Sequence, residues 1–287
     1  MNIQIKKFDP SKMDPCRTCV FIAKKNCGKS TLIKDILYHQ RKIPMGVVMS
    51  GTEESNEHYQ QFVPDSFIYG QYEPEVIEHI ITHQQQVVKK LKQSEKEDFK
   101  TPNNSVFMVL DDCMFDNKWT RDKNMRCVFM NGRHYRIFFM LTLQYCMDLP
   151  PSLRGQIDYV FILRENSIEN KMKLWKHFFG IFPTFDAFSE VLTQCTENYE
   201  CLVLNNRTTS NKIEDVVFWY KAKMGRKFKM GSQDLWDHHR RNYNTKHDDP
   251  KLEEADLKKK KPNVPQVIVV KTDTEGKKKR KKVVKAK

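Results

Sequence analysis

The sequence contains no apolar run near the roughly 18 residues that would span a bilayer. Nothing in it therefore reads as a transmembrane segment. The opening residues, Met1-Asn2-Ile3-Gln4-Ile5-Lys6-Lys7, lack a long apolar stretch before a small-residue cleavage site, which argues against a signal peptide. Cys16-Arg17-Thr18-Cys19 has no second CxxC to complete a four-ligand zinc set, so core packing is the stronger reading of that pair. The eight cysteines are irregularly spaced, and several lie in apolar runs. That pattern suits reduced, buried thiols in a cytosolic compartment better than a disulfide frame. No internal repeat is visible.

What is present is length, charge and alternation. The 287 residues are 39% hydrophobic and 30% charged, the balance of a globular domain with a wet surface. The net charge of +14 is uneven. Lys251 to Lys287 holds fourteen Lys/Arg against five Asp/Glu, a net of +9, which leaves +5 on the first 250 residues. We expect a folded domain over 1–248 and a disordered basic tail over 249–287. In that tail Lys258–Lys261 and Lys277–Lys282 are unbroken basic runs, and Val267–Val270 could be a strand in a partner or a local edge strand. The polybasic end suits phosphate backbones, a nuclear-import signal or solubility, and the sequence leaves these open.

The domain alternates strand and helix. Apolar runs predict strands at Thr18–Ile22, Met45–Met49, Val106–Leu110, Ile137–Leu143 and Tyr159–Leu163, and an antiparallel pair at Leu202–Leu204 and Val216–Tyr220. Helical periodicity predicts helices over Ser30–His39, Pro74–Gln93, Trp119–Met130, Lys171–Phe179, Phe185–Thr193 and Gln233–Arg241. Uniformly apolar strands separated by helices mean a mostly parallel α/β sheet covered on both faces.

Ala23-Lys24-Lys25-Asn26-Cys27-Gly28-Lys29-Ser30-Thr31 follows a strand and opens a helix, the context a phosphate-binding P-loop requires. Backbone N–H groups at such a helix start hold phosphate oxygens. Gly28 allows close approach, Lys29 would reach the β- and γ-phosphates of ATP, and the Ser30 hydroxyl would ligate Mg2+. Lys24, Lys25, Asn26, Cys27 and Thr31 complete the nucleotide-binding loop. Ala23 departs from the first glycine of the pattern. Asp111 and Asp112 end the apolar strand from Val106, the Walker B arrangement: Asp111 would hold Mg2+ and Asp112 would polarise the attacking water. Gln144, at the tip of the Ile137 strand, suits a γ-phosphate sensor on an additional strand inserted between the P-loop and Walker B strands.

These segments, with Asn131–Arg136, Thr142–Tyr145, Leu149–Arg154 and Asp158–Phe161, resemble the genome-packaging ATPases of nucleocytoplasmic large DNA viruses, in the FtsK–HerA superfamily, over roughly residues 15 to 220. The resemblance implies a RecA/FtsK-like P-loop sheet and an ATP-hydrolysing motor that threads double-stranded DNA, held by its backbone, through a homo-oligomeric ring. It also implies an arginine acting in trans at the neighbour's γ-phosphate, with Arg133 and Arg154 as the candidates. Work at an assembly site in the host cytoplasm or in the virion, with a capsid or membrane-associated virion protein as further partner, belongs to the same expectation. Aspartate at 112, where related enzymes place glutamate, bears on the hydrolysis rate. Two rivals stand beside it. A small-molecule P-loop kinase would lack the double aspartate and sensor strand. A non-catalytic DNA-binding assembly protein with a decayed nucleotide site is kept open by Ala23. An ABC-type transporter ATPase is disfavoured, since no Leu-Ser-Gly-Gly-Gln signature occurs.

Overall fold

The computed structural model describes residues 3–93, 104–113 and 117–243. The tail from 249 and its Val267–Val270 segment lie outside the described residues, as does the expected boundary at 248. Met1–Asn242 forms one compact unit.

Nine strands build one sheet: β1 (Lys6–Lys7), β2 (Thr18–Ile22), β3 (Met45–Ser50), β4 (Ile68–Tyr69), β5 (Val106–Asp111), β6 (Ile137–Leu143), β7 (Tyr159–Ile162), β8 (Glu200–Asn205) and β9 (Val217–Lys221). Their order is β1-β9-β8-β7-β2-β6-β5-β3-β4. Among the described residues, β8 alone runs against the common direction of the sheet, antiparallel to β7 and β9. Strand β6 lies between β2 and β5, with Cys19 opposite Met140 and Val109 opposite Met140 on its other side. This is the expected α/β sheet with its additional central strand. The short edge strands β1 and β4 were not expected. Two residues each, with exposed lysines in β1, carry no periodic signal.

The helices are α1 (Lys29–His39), α2 (Glu53–Asn56), α3 (Pro74–Gln93), α4 (Lys123–Asn131), α5 (Pro151–Arg154), α6 (Ile168–His177), α7 (Phe185–Gln194), α8 (Ile213–Val216) and α9 (Gln233–Asn242). Pro74 starts α3 where no N–H partner is needed. Side-chain caps start three others: Asp122 accepts from the Asn124 and Met125 N–H groups, Ser167 from Asn170 and Thr184 from Ala187. The caps correct two expectations. The predicted Trp119–Met130 helix is broken at Asp122, so that Asn117–Arg121 is a 3-10 turn and α4 begins at Lys123. Helix α6 begins three residues before Lys171, because Ser167 caps it there even though Ile168 faces water.

Side chains alternate across the central strands into two cores. One face collects Val20, Met108, Leu110, Phe139 and Leu141 under α3, α4, α6 and α7. The other collects Phe21, Phe107, Val109, Phe138 and Phe161 under α1. Both faces being covered explains why the central strands read as unbroken apolar runs.

Candidate functional site

Parallel β2, β5 and β6 bring the ends of three sequence-distant segments to one edge of the sheet. The P-loop leaves β2 there, the paired carboxylates leave β5, and Gln144 follows β6. Gly28 is in the left-handed region, with φ of 90°, and precedes the first turn of α1. A side chain there would also press on its neighbours: a Cβ would stand 3.2 Å from Tyr199 Cδ1 and 3.9 Å from Leu163 Cδ2. Asn26, at φ of 62°, supplies a second left-handed residue in the loop. Ala23 continues the strand, its N–H donating to the Leu143 carbonyl at 3.0 Å. Its methyl is buried in the cluster that contains Phe21 and Leu32. The departure from glycine thus adds a core methyl.

Lys29 is buried, 7% exposed, and its Nζ lies 2.5 Å from Asp112 Oδ1 and 3.8 Å from Asp111 Oδ1. The Gln144 amide donates to the same Asp112 oxygen at 3.4 Å. Asp112 itself has a φ of 50°, and its N–H donates to Thr142 Oγ1 at 3.0 Å. The chain therefore turns sharply as it leaves β5, and β6 holds the turn. Lysine, carboxylates and amide, drawn from 116 positions of sequence between Lys29 and Gln144, are together. Lys24 faces the other side of the loop, paired with Glu165 at 2.6 Å. Burial pushes the Glu165 carboxyl up, but hydrogen bonds from Lys24, the Ser167 N–H and the Asn170 amide outweigh it and hold the group below its ordinary value. Lys25 and Asn26 are exposed, and Cys27 lies beside the Arg164 carbonyl.

Several supporting residues gave no sequence signal. The Tyr59 hydroxyl, from the segment after α2, donates to Asp111 Oδ2 at 2.8 Å in the interior. Burial, and then Asp111, push that phenol well above its ordinary range, so it stays a donor. Glu53 Oε1 accepts from the Tyr59 and Gln60 N–H groups at 2.7 and 2.9 Å and sets the position of the tyrosine. At Gly51 the main chain after β3 passes so close that a Cβ would sit 2.6 Å from the Asp112 carbonyl oxygen. Thr142 did carry a clue, as the one polar residue in an apolar strand.

The donor set also fits a hard cation. Asp111 Oδ1 is buried without a hydrogen-bond partner, and so is the hydroxyl of Ser50, which pairs in register with Asp111. With Ser30 at the start of α1 and Asp112 beside them, these are oxygen ligands of the kind Mg2+ takes. Cys113, next in the chain, is a buried thiol pushed up to about 12 by burial and then by Asp111.

The two candidate arginines stand apart from this cluster. Arg133 precedes β6 and lines a cavity with Asp14, Cys16 and Arg17, which precede β2. Arg154 precedes β7, donates to the Leu149 carbonyl at 2.8 Å, and lines a cleft with Lys176 and His177. Both belong to the starting edge of the parallel strands, opposite the edge that carries Lys29. Among the described residues, no helix is long and apolar enough to cross a membrane.

An uncharacterized protein of Acanthamoeba polyphaga mimivirus is 38% identical over 242 residues, covering 84% of each chain. One of Frog virus 3 is 39% identical over 204 residues, covering 71% of this chain and 61% of its own. Among solved structures, the genome packaging NTPase of Sulfolobus turreted icosahedral virus 2 in complex with AMP superposes with a TM-score of 0.52. It is 16% identical and covers 74% of this chain and all of its own, a likeness of fold. The family model for the poxvirus A32 protein matches residues 7–217, across the segments that carried the resemblance to viral packaging ATPases. The chain therefore belongs to the poxvirus A32 protein family.

Proposed function

We propose that this chain hydrolyses ATP to drive double-stranded DNA into a viral capsid, working as a homo-oligomeric ring at the assembly site in the host cytoplasm or on the virion. The observation that carries the reading is the convergence of Lys29 on Asp111 and Asp112, with Gln144 on the same carboxylate. Those four groups are what phosphoryl transfer to water needs: a cation for the phosphates, two carboxylates and a polar amide. Lys24, Lys25, Asn26, Cys27, Gly28 and Thr31 frame the phosphates through the loop and the first turn of α1. Ser30 and Asp111 would hold Mg2+, which when bound neutralises charge on the transferring phosphoryl group. Lys29 would move from Asp112 onto the β- and γ-phosphates, since a polyphosphate offers it more negative charge than one carboxylate. That exchange frees Asp112 to accept a hydrogen bond from the attacking water, while Gln144 fixes the water and the γ-phosphate. Arg133 or Arg154, presented by the neighbouring subunit, would supply the positive charge that the transition state lacks in cis.

A genome packaging NTPase of similar fold forms a complex with AMP, which suits a nucleotide-binding role for this fold. DNA held by its backbone makes binding salt-dependent and indifferent to sequence, with the basic tail as a second contact. The test is steady-state ATP turnover with and without linear duplex DNA. Duplex DNA should raise turnover, and Asp112→Asn should reduce it by at least about a hundredfold while leaving ATP binding within a few-fold. A small-molecule kinase would ignore DNA. Unchanged turnover in Asp112→Asn would leave only a DNA-binding assembly protein.

A further inference from the structure

Tyr199 stands at the P-loop in a conformation that its own chemistry does not favour. It is 71% exposed, although a tyrosine gains by burying its ring. Its φ is 62°, and Asn198 before it has a φ of 49°. Two consecutive left-handed residues, one of them bulky, persist only where the surroundings hold them, and such residues concentrate at ligand sites. The surroundings here are the nucleotide loop itself: the ring edge packs on Gly28, at 3.2 Å from where a Cβ would be. Leu163 Cδ2 would stand 3.9 Å from the same Cβ, and the chain beyond it runs along the loop, with the Arg164 carbonyl beside Cys27 Sγ and Glu165 on Lys24. The carboxylates and Gln144 lie on the opposite flank, towards β6 and β5. The phosphate end of a bound nucleotide is accounted for on that flank. Its base has to leave the loop on another side, and the β7–β8 flank offers an exposed aromatic face.

We propose that Tyr199 is the base-stacking residue of the nucleotide site, its ring forming a platform for the purine of the bound triphosphate. This rests on the ATP reading above and adds the base subsite to it. A ring face reads any base without an edge-on hydrogen bond, and a platform next to Gly28 couples base binding to the shape of the phosphate loop.

The test uses the full chain and titration calorimetry with two probes, MgATP and inorganic tripolyphosphate, on wild type, Tyr199→Ala and Tyr199→Phe. Tyr199→Ala should weaken MgATP by roughly tenfold or more, the usual loss when a stacking ring is truncated, and leave tripolyphosphate unchanged. Tyr199→Phe keeps the ring and should match wild type. Because the side chain is exposed, both variants should melt with wild type, and circular dichroism checks this. Unchanged MgATP affinity in the alanine variant overturns the proposal. So does equal weakening of both probes, which would make Tyr199 a support of the loop, or a phenylalanine variant as weak as alanine. Wild type that binds neither probe would instead bring down the ATP reading.

Discussion

At the scale of single residues, the site depends on groups that hold the carboxylates as much as on the carboxylates. Tyr59 is the clearest case. Its hydroxyl is the buried donor on Asp111 Oδ2, and Oδ1 of the same carboxylate has no hydrogen-bond partner. Tyr59→Phe deletes that donor with almost no change of shape, so the loss should be close to that of one hydrogen bond to a charged group, about 1.5–3 kcal/mol. Urea denaturation would measure it. Added Mg2+ should recover part of it, because the cation binds the same carboxylate in the folded state. A midpoint equal to wild type would mean that the tyrosine does not hold Asp111. His58, one residue earlier, makes a pH test. Burial, and then Lys34, push this imidazole below its ordinary value of about 6.5, against smaller opposing effects of Glu53, the Ser30 main chain and Asp111. The unfolded chain therefore binds the proton first. The neutral ring's contribution is complete above the unfolded value and is lost as pH falls from about 6.5 towards the depressed folded value. Between pH 7.5 and 5.5 the urea midpoint should fall further in wild type than in His58→Gln, and equal falls would show that the ring does not titrate in this window.

At the scale of elements, the α1 helix is tied to both ends of the domain. Its start holds the phosphate loop, and its middle carries Asp35, a fully buried acid. Asp35 accepts from the Tyr220 hydroxyl at 2.5 Å, the Lys223 N–H at 2.9 Å and Arg226 Nε at 2.7 Å. The Arg226 guanidinium also lies 3.9 Å from the Tyr38 ring centre. The stretch after β9, which has no regular structure from Ala222 to Ser232, is thus fixed to the helix by one carboxylate. Asp35→Ala leaves the partly buried Arg226 without its partner and should cost about 3–5 kcal/mol. Limited trypsin digestion should then cut at Lys223, Arg226 or Lys227 faster than in wild type, and an unchanged rate of cutting at those three sites would contradict the latch. This latch was invisible in the sequence, because its acid is one polar residue on an otherwise ordinary helix. The central strands were legible because burial on both faces leaves them few polar positions. The P-loop and the Asp111–Asp112 pair were legible because each sits at a strand end in an order that chemistry constrains. Tyr59, Asp35 and Tyr199 were not, since each acts through a contact between segments far apart in sequence, and Glu53 was not, since its main-chain contacts to Tyr59 and Gln60 follow no spacing rule. The helix starts at Lys123 and Ile168 were missed for a local reason: the caps at Asp122 and Ser167 outweighed the apolar periodicity.

At the scale of the whole molecule, one chain has its phosphate-binding groups on one edge of the sheet and both candidate arginines, Arg133 and Arg154, towards the other. An arginine so placed cannot serve the nucleotide of its own chain without a large rearrangement, whereas the proposed ring would serve it if head-to-tail contacts turned the starting edge of one subunit towards the finishing edge of the next. Subunit mixing tests this. Asp112→Asn subunits keep their arginines and lack the water-polarising carboxylate. Arg154→Ala or Arg133→Ala subunits keep the carboxylate and lack one arginine. If one of these arginines acts in trans, the pure preparation of its alanine variant should lose turnover by about a thousandfold, the usual weight of an arginine finger, and pure Asp112→Asn by at least about a hundredfold. A mixed preparation should recover DNA-stimulated turnover, because some junctions then pair an intact carboxylate with an intact arginine from the neighbour. The arginine whose variant complements is the finger. An arginine that contacts only DNA should instead leave basal turnover intact and flatten the dependence of DNA binding on salt. No recovery with either variant, at a concentration where the subunits assemble and exchange, would place the missing charge within a single chain and exclude the shared site.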